Sequence, residues 1–140
     1  MIREYFSEVE KKLEEIKWLI KKKNIELNLV SEEMGIIKGK IVFVNSNVLD
    51  FRELVSEEHV DYRFQFMNGN NRLIYRWDNA PHHKEIASFP FHLHAPEGVR
   101  ECDKVSLIEV VDIIKALMTK RGGLNKKVLY ERSPQKDRRD

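Results

Sequence analysis

A single cysteine, Cys102, leaves this 140-residue chain without an internal disulfide, as expected for a protein of a reducing compartment. Also missing is any apolar run near the roughly 20 residues that span a bilayer. The opening segment is laced with Lys and Glu where a secretory leader would be apolar. These absences predict a cytoplasmic protein without membrane contact. Glycines number six and form no phosphate-cradling loop of the Walker or dinucleotide type, so a nucleotide cofactor has no support. There is no Gly-x-Ser-x-Gly elbow, no motif around Cys102 and no His-Glu-x-x-His metal pair. Charge of one sign is lacking as well: 25 Lys and Arg oppose 23 Asp and Glu. A net +2 creates no whole-molecule field that would announce nucleic acid.

What basic excess exists lies at the end, where residues 124–140 carry six Lys/Arg against three Asp/Glu. We read residues 1–123 as a single α+β domain and 124–140 as a charged, flexible tail. A short arm that touches phosphate or a partner is the other reading of the tail. The prominence of Lys, Glu and Ile resembles surfaces that work at high temperature.

Hydrophobic periodicity divides the domain. Ile2, Tyr5/Phe6, Val9, Leu13, Ile16 and Ile20 recur at helical steps, with Lys21 to Lys23 placed where a helix C-terminus favours cations and Asn24 as the stop. The period then falls to two. Strands are predicted from Ile25, from Ile37 to Val44 after a Glu33-Met34-Gly35 turn, and from Val48 to Val55. The plainest element is a hairpin: Val60, Tyr62, Phe64 and Phe66 alternate with polar residues, as do Leu73, Tyr75 and Trp77 beyond the Asn68–Asn71 turn. Tyr62, Phe64, Phe66, Tyr75 and Trp77 resemble base-stacking platforms, but on an apolar face we read them as core. A last helix runs from Ser106 to about Lys120, opened by a Ser106/Glu109 capping box and closed by Arg121-Gly122-Gly123. The predicted fold is α+β: an antiparallel meander of five to seven strands with an N-terminal and a C-terminal helix on one face.

Candidate chemistry concentrates between Arg76 and His94, which holds four of the five histidines: His82, His83, His92 and His94. Arg76 and Asp78 share one face of a strand. They form either an exposed ion pair of small consequence or a guanidinium aligned for phosphate. Asn79-Ala80-Pro81 must leave the sheet, because proline lacks the ladder donor. In a strand predicted from Phe89 to His94, His92 and His94 share a face while Phe89, Phe91 and Leu93 turn to the core. A His-x-His pair on a strand can ligate a divalent metal; without metal, the imidazoles can serve as acid and base. His59 stands apart and reads as a surface residue.

YRFQF (Tyr62 to Phe66), RLIYRWDNAPHH (Arg72 to His83) and FPFHLH (Phe89 to His94) resemble the TumE family of toxin–antitoxin toxins. That family's pattern runs along YRYQW…L.RWDNAPHH…FPHHKH, and RWDNAPHH matches throughout. The resemblance spans roughly Val60 to His94. It implies a toxin neutralised by a cognate antitoxin, with a ribonuclease activity on RNA. The residues it carries over are Arg76, Asp78, Asn79, His82, His83, His92 and His94. Two positions depart: Phe91 stands for a histidine, and Leu93 for a lysine that either contacted phosphate or was never catalytic.

We therefore expect a ribonuclease with Arg76, Asp78, His82, His92 and His94 as catalytic residues, and Arg63, Asn79 and His83 binding substrate. No cofactor is firmly implied, though His92 and His94 offer a divalent metal site. The partners expected are an antitoxin and RNA; a homodimer stays open. The alternatives are a non-catalytic binding module for protein or nucleic acid, and a metal-binding hydrolase using the histidine cluster.

Overall fold

Among the described residues, seven strands pair only with their neighbours in sequence, giving one antiparallel meander in the order β1 to β7. The computed structural model describes residues 2–119. Helix α1 (Ile2–Glu15) precedes β1 (Ile20–Ser31), β2 (Met34–Phe43), β3 (Val48–Ser56), β4 (Asp61–Met67), β5 (Leu73–Asp78), β6 (His92–Ala95) and β7 (Gly98–Glu101), and helix α2 (Leu107–Thr119) follows. The expected helix stop at residues 121–123 and the charged tail at 124–140 lie outside the described residues. Among the described residues no helix is long and apolar enough to cross a membrane.

Alternation builds the core. Phe64 and Phe66 of β4, Ile37 and Ile41 of β2, and Phe51 and Leu49 of β3 all fall on one side of the sheet and are buried. Val9, Leu13 and Ile16 from the first helical segment, and Leu107, Val110, Val111 and Ile114 from α2, close over them. The two helices meet through a Lys12–Asp112 ion pair at 2.9 Å. The capping box forms as expected: Ser106 N–H donates to Glu109 Oε1 at 2.8 Å and Glu109 N–H to Ser106 Oγ at 3.3 Å.

Several boundaries move. Helix α1 ends at Glu15, and after a 3-10 turn at Lys17–Leu19 the chain enters β1 directly. Ile16 and Leu19 continue the helical spacing, yet both bury against the core from the turn. Lys21 to Lys23 thus lie in an edge strand, exposed, where lysines discourage pairing with another chain's edge. The turn before β2 is Glu32-Glu33. Gly35 belongs to the strand, and its lack of a side chain admits α1: a Cβ there would come within 2.6 Å of Phe6 and 3.0 Å of Ile2.

Gly39 is tighter still, because an added Cβ would meet the Asn24 carbonyl oxygen and lie 2.8 Å from Ile25 Cα. Backbone on the paired strand cannot rotate aside. Gly39→Ala is therefore expected to lower stability by about 1–3 kcal/mol, read as a fall in urea midpoint. An unchanged midpoint would mean that β1 and β2 separate freely.

The strand predicted over Phe89–His94 begins only at His92. Pro90 has no N–H to offer a ladder, and Phe91 N–H instead donates back to Ser88 O at 2.9 Å. Phe89 is 38% exposed rather than core, while Phe91 stacks on Tyr62 with ring centres 6.3 Å apart. β7 goes unforeseen because four residues are too few to show a period, although Pro96-Glu97-Gly98 carries a turn signal.

Candidate functional site on the open face of the sheet

The face turned away from the helices is polar. On β5 and β6, Arg76 lies opposite His94 and Asp78 opposite His92, while Trp77 and Leu93 between them enter the core. Arg63 of β4 pairs with Asp78 from the other side. Period-two alternation in three short segments is enough to gather these five side chains.

Asp78 is the hub. Its Oδ1 accepts from Ala80 N–H at 3.1 Å and meets His92 Nε2 at 2.8 Å. Its Oδ2 accepts from Arg76 Nε at 3.2 Å and lies 3.6 Å from His94 Nε2. The Ala80 contact is an Asx turn that swings the chain off the sheet before Pro81. Residues 79–91 then fold back across the open face, and Asp78 becomes buried although it points away from the hydrophobic core. Ser88 fastens this loop, donating to Phe91 O at 2.6 Å and accepting from Cys102 N–H at 3.1 Å.

His83 takes a left-handed backbone conformation, φ 60°, one that non-glycine residues adopt sparingly and often at functional sites. Its ring centre lies 5.1 Å from that of His92 and 5.6 Å from that of His94, and the latter two are 4.8 Å apart. These three imidazoles form the cluster. His82, expected as a catalytic partner, is exposed at the pocket wall with its ring 6.4 Å from His83.

His92 is almost fully buried, and both ring nitrogens are engaged. Because a carbonyl can only accept, Nδ1 donates to Pro90 O at 2.9 Å, and Nε2 lies 2.8 Å from Asp78 Oδ1. His94 is more open. Burial, followed by the charge of Arg76, holds it down at about 4 despite the opposing pull of Asp78, so its ring is neutral at pH 7. His83 has one nitrogen 3.6 Å from Glu85. One nitrogen from each of the three rings lies within 4.8 Å of the others, a spacing at which three imidazoles can hold a metal ion.

Asn79 is occupied by the fold. Its Oδ1 accepts from Tyr62 N–H at 3.0 Å and its Nδ2 donates to Val60 O at 2.7 Å, so the side chain continues the β4–β5 ladder where the backbone departs. Asn79→Ala is expected to leave both groups unpaired and cost about 1–3 kcal/mol, measured by chemical denaturation. A loss within error would show that water substitutes for the amide.

Arg63 and Arg52 line the same cavity, about 480 Å³ in volume, with Arg76, Asp78, the three clustered histidines and His82. Sequence reasoning passed over Arg52. Its signal was register: β3 and β4 pair Arg52 with Arg63, a juxtaposition invisible until the strands are aligned. Leu93 bears on the family pattern, because it is buried on the core side. Its side chain does not line the cavity.

Fold and site together define a small α+β protein that presents an arginine–aspartate–histidine cluster on an open antiparallel sheet. The family model described as Toxin TumE matches residues 7–120, and the chain belongs to that family. No curated protein and no solved structure matches it.

Proposed function

We propose that the chain is the toxin of a toxin–antitoxin pair and that it acts by cleaving RNA phosphodiesters in this cavity. The observation that carries the reading is the gathering of three imidazoles around a guanidinium held by a buried carboxylate. That set can move two protons and steady one developing phosphorane charge. An antitoxin is the partner that the family description implies.

In this mechanism neutral His94 takes the proton of the RNA 2′-hydroxyl, whose oxygen attacks the adjacent phosphorus. Arg76 steadies the charge that develops on the phosphoryl oxygens. The bond from phosphorus to the 5′-oxygen breaks, and His83 gives that oxygen its proton. The products are a 2′,3′-cyclic phosphate and a free 5′-hydroxyl. Asp78 and His92 are positioning residues: Asp78 orients the guanidinium, and His92, held by Pro90, orients Asp78. DNA resists because it lacks the attacking hydroxyl.

A metal at the same imidazoles would have to take His92 Nε2 from Asp78 and sit beside the Arg76 guanidinium, two changes that disfavour a cation. We therefore assign the chemistry to the side chains. Mixed single-stranded RNA is expected to be cut in the presence of EDTA, leaving cyclic phosphate ends, with matched DNA intact. Cleavage only on addition of divalent metal would replace this mechanism with metal-activated water. Absence of cleavage under every condition would favour a non-catalytic binding module.

A further inference from the structure

The polar rows that contain the cavity extend well beyond it. From Arg76 one row continues through Gln65 and Asp50 to Lys40; from Asp78 the other continues through Arg63 and Arg52 to Lys38. On β1 the rows end in Asn24 and Glu26. From β1 to β4 every side chain in the two rows is charged or carries an amide. A second groove, about 750 Å³ in volume, lies over β1 to β3, and Arg52 and Arg63 line both it and the histidine cavity. The two adjoin at these arginines.

Cations predominate along the second groove. Lys22, Lys38, Lys40, Arg52 and Arg63 line it against Glu26 and Asp50. The ion pairs these cations make are long and exposed, 3.4 Å for Arg52–Asp61, 3.5 Å for Lys38–Glu26 and 3.9 Å for Arg63–Asp50. Among the described residues, Lys22 and Lys40 have no carboxylate partner. Such a surface exchanges its counterions readily for phosphates.

We propose that this groove is the track of the RNA strand, holding the phosphates that lie to one side of the bond being cut; the inference rests on the RNA-cleaving reading of the histidine cavity. From β2 to β6 the track crosses four strand spacings, roughly 19 Å. That accommodates a strand of about four nucleotides or more, near the lower end of site sizes for sheet-borne single-strand binders. Tyr62, Phe64 and Phe66 are buried on the opposite face, so bases find no aromatic platform here. Recognition along the track is by backbone charge, and it is tolerant of sequence. An acidic protein segment could answer the same charge. Adjacency to the cavity at Arg52 and Arg63, together with rows that lack an apolar anchor, favours the nucleic acid.

The test is fluorescence anisotropy with a fully 2′-O-methylated single strand of about 12 nucleotides, which cannot be cut, beside one of about three. The longer strand is expected to bind at least about tenfold more tightly, because it reaches the lysines. Lys38→Gln with Lys40→Gln is expected to weaken the longer strand about tenfold at low salt, and to flatten the log–log salt dependence by about 1.4, or about 0.7 for each cation lost. Both lysines are exposed, and circular dichroism checks that the variant keeps its fold. Equal affinity for the two lengths, or an unaltered salt slope in the variant, overturns the track. So does polyglutamate binding more tightly than RNA through the same lysines, which would give the groove to an acidic protein. If binding behaves as expected but no RNA is ever cut, the catalytic reading fails and the track stands. If RNA is cut while the substitutions leave binding unchanged, the track alone fails.

Discussion

Replacing Arg76 with alanine is expected to reduce RNA cleavage by about 10²–10³-fold in kcat/KM, the scale seen when one charge-stabilising donor is removed from a reacting centre. Arg76 commits Nε to Asp78 at 3.2 Å, which fixes the plane of the guanidinium while its terminal nitrogens remain for substrate. Asp78 is not orphaned in the variant, since His92 and Ala80 N–H still contact it. The fold should therefore survive, with a stability loss of about 1–3 kcal/mol. Arg76→Lys should recover only part of the rate, because one ammonium cannot serve carboxylate and phosphate in the forked geometry of a guanidinium. Wild-type cleavage by a folded Arg76→Ala protein would remove this residue from the chemistry.

The second large effect lies on the other face of the sheet and concerns stability. Glu53 points into the core beneath the helices, accepting from Tyr5 Oη–H at 2.8 Å. Burial pushes its carboxyl up from 4.5 to about 7; the hydrogen bond from Tyr5, the Leu107 N–H and the charge of Lys104 oppose that rise, and Glu109 adds to it. Between those two values the folded protein keeps a proton that the unfolded chain has released. Unfolding free energy therefore falls as pH rises through that window, and the full penalty remains above about 7. Glu53→Gln keeps an acceptor for Tyr5 and removes the ionisation. At pH values above that window it should be more stable than the parent by up to about 3 kcal/mol, and near pH 4 about equal to it. Urea denaturation at the two pH values reads the difference. An equal offset at both would show that the carboxyl does not titrate in this range.

The hairpin of β4 and β5 was legible because both strands alternate cleanly and a turn-rich segment joins them. The helix around Leu107 to Thr119 was legible because its capping box and buried stripe agree. The N-terminal helix ends before its apolar spacing does, because Ile16 and Ile20 fit a helical step as well as they fit a turn leading into a strand. Gly35 misled for a related reason. Glycine permits turns, but here it gives α1 room, and nothing nearby in sequence distinguishes the two uses. At the site, Arg76 with Asp78 and His92 with His94 could be paired from alternation, one strand at a time. His83 could not be placed over them, because its ring is brought there by a left-handed backbone in a loop closed by Ser88.

By itself, then, the sequence determined which residues share a face, where the sheet ends in polar chemistry, and that imidazole, guanidinium and carboxylate lie near one another along the chain. Those are local properties, set by the two-residue repeat of a strand and by the turn chemistry of proline, asparagine and glycine. Only the tertiary structure decided that His83 rather than His82 joins the cluster, that Asp78 is buried as its hub, and that Arg52 and Arg63 join the cavity to a basic groove. Each of these depends on strand register or on a loop folding back, and such contacts between distant residues form through side-chain packing that no local period records.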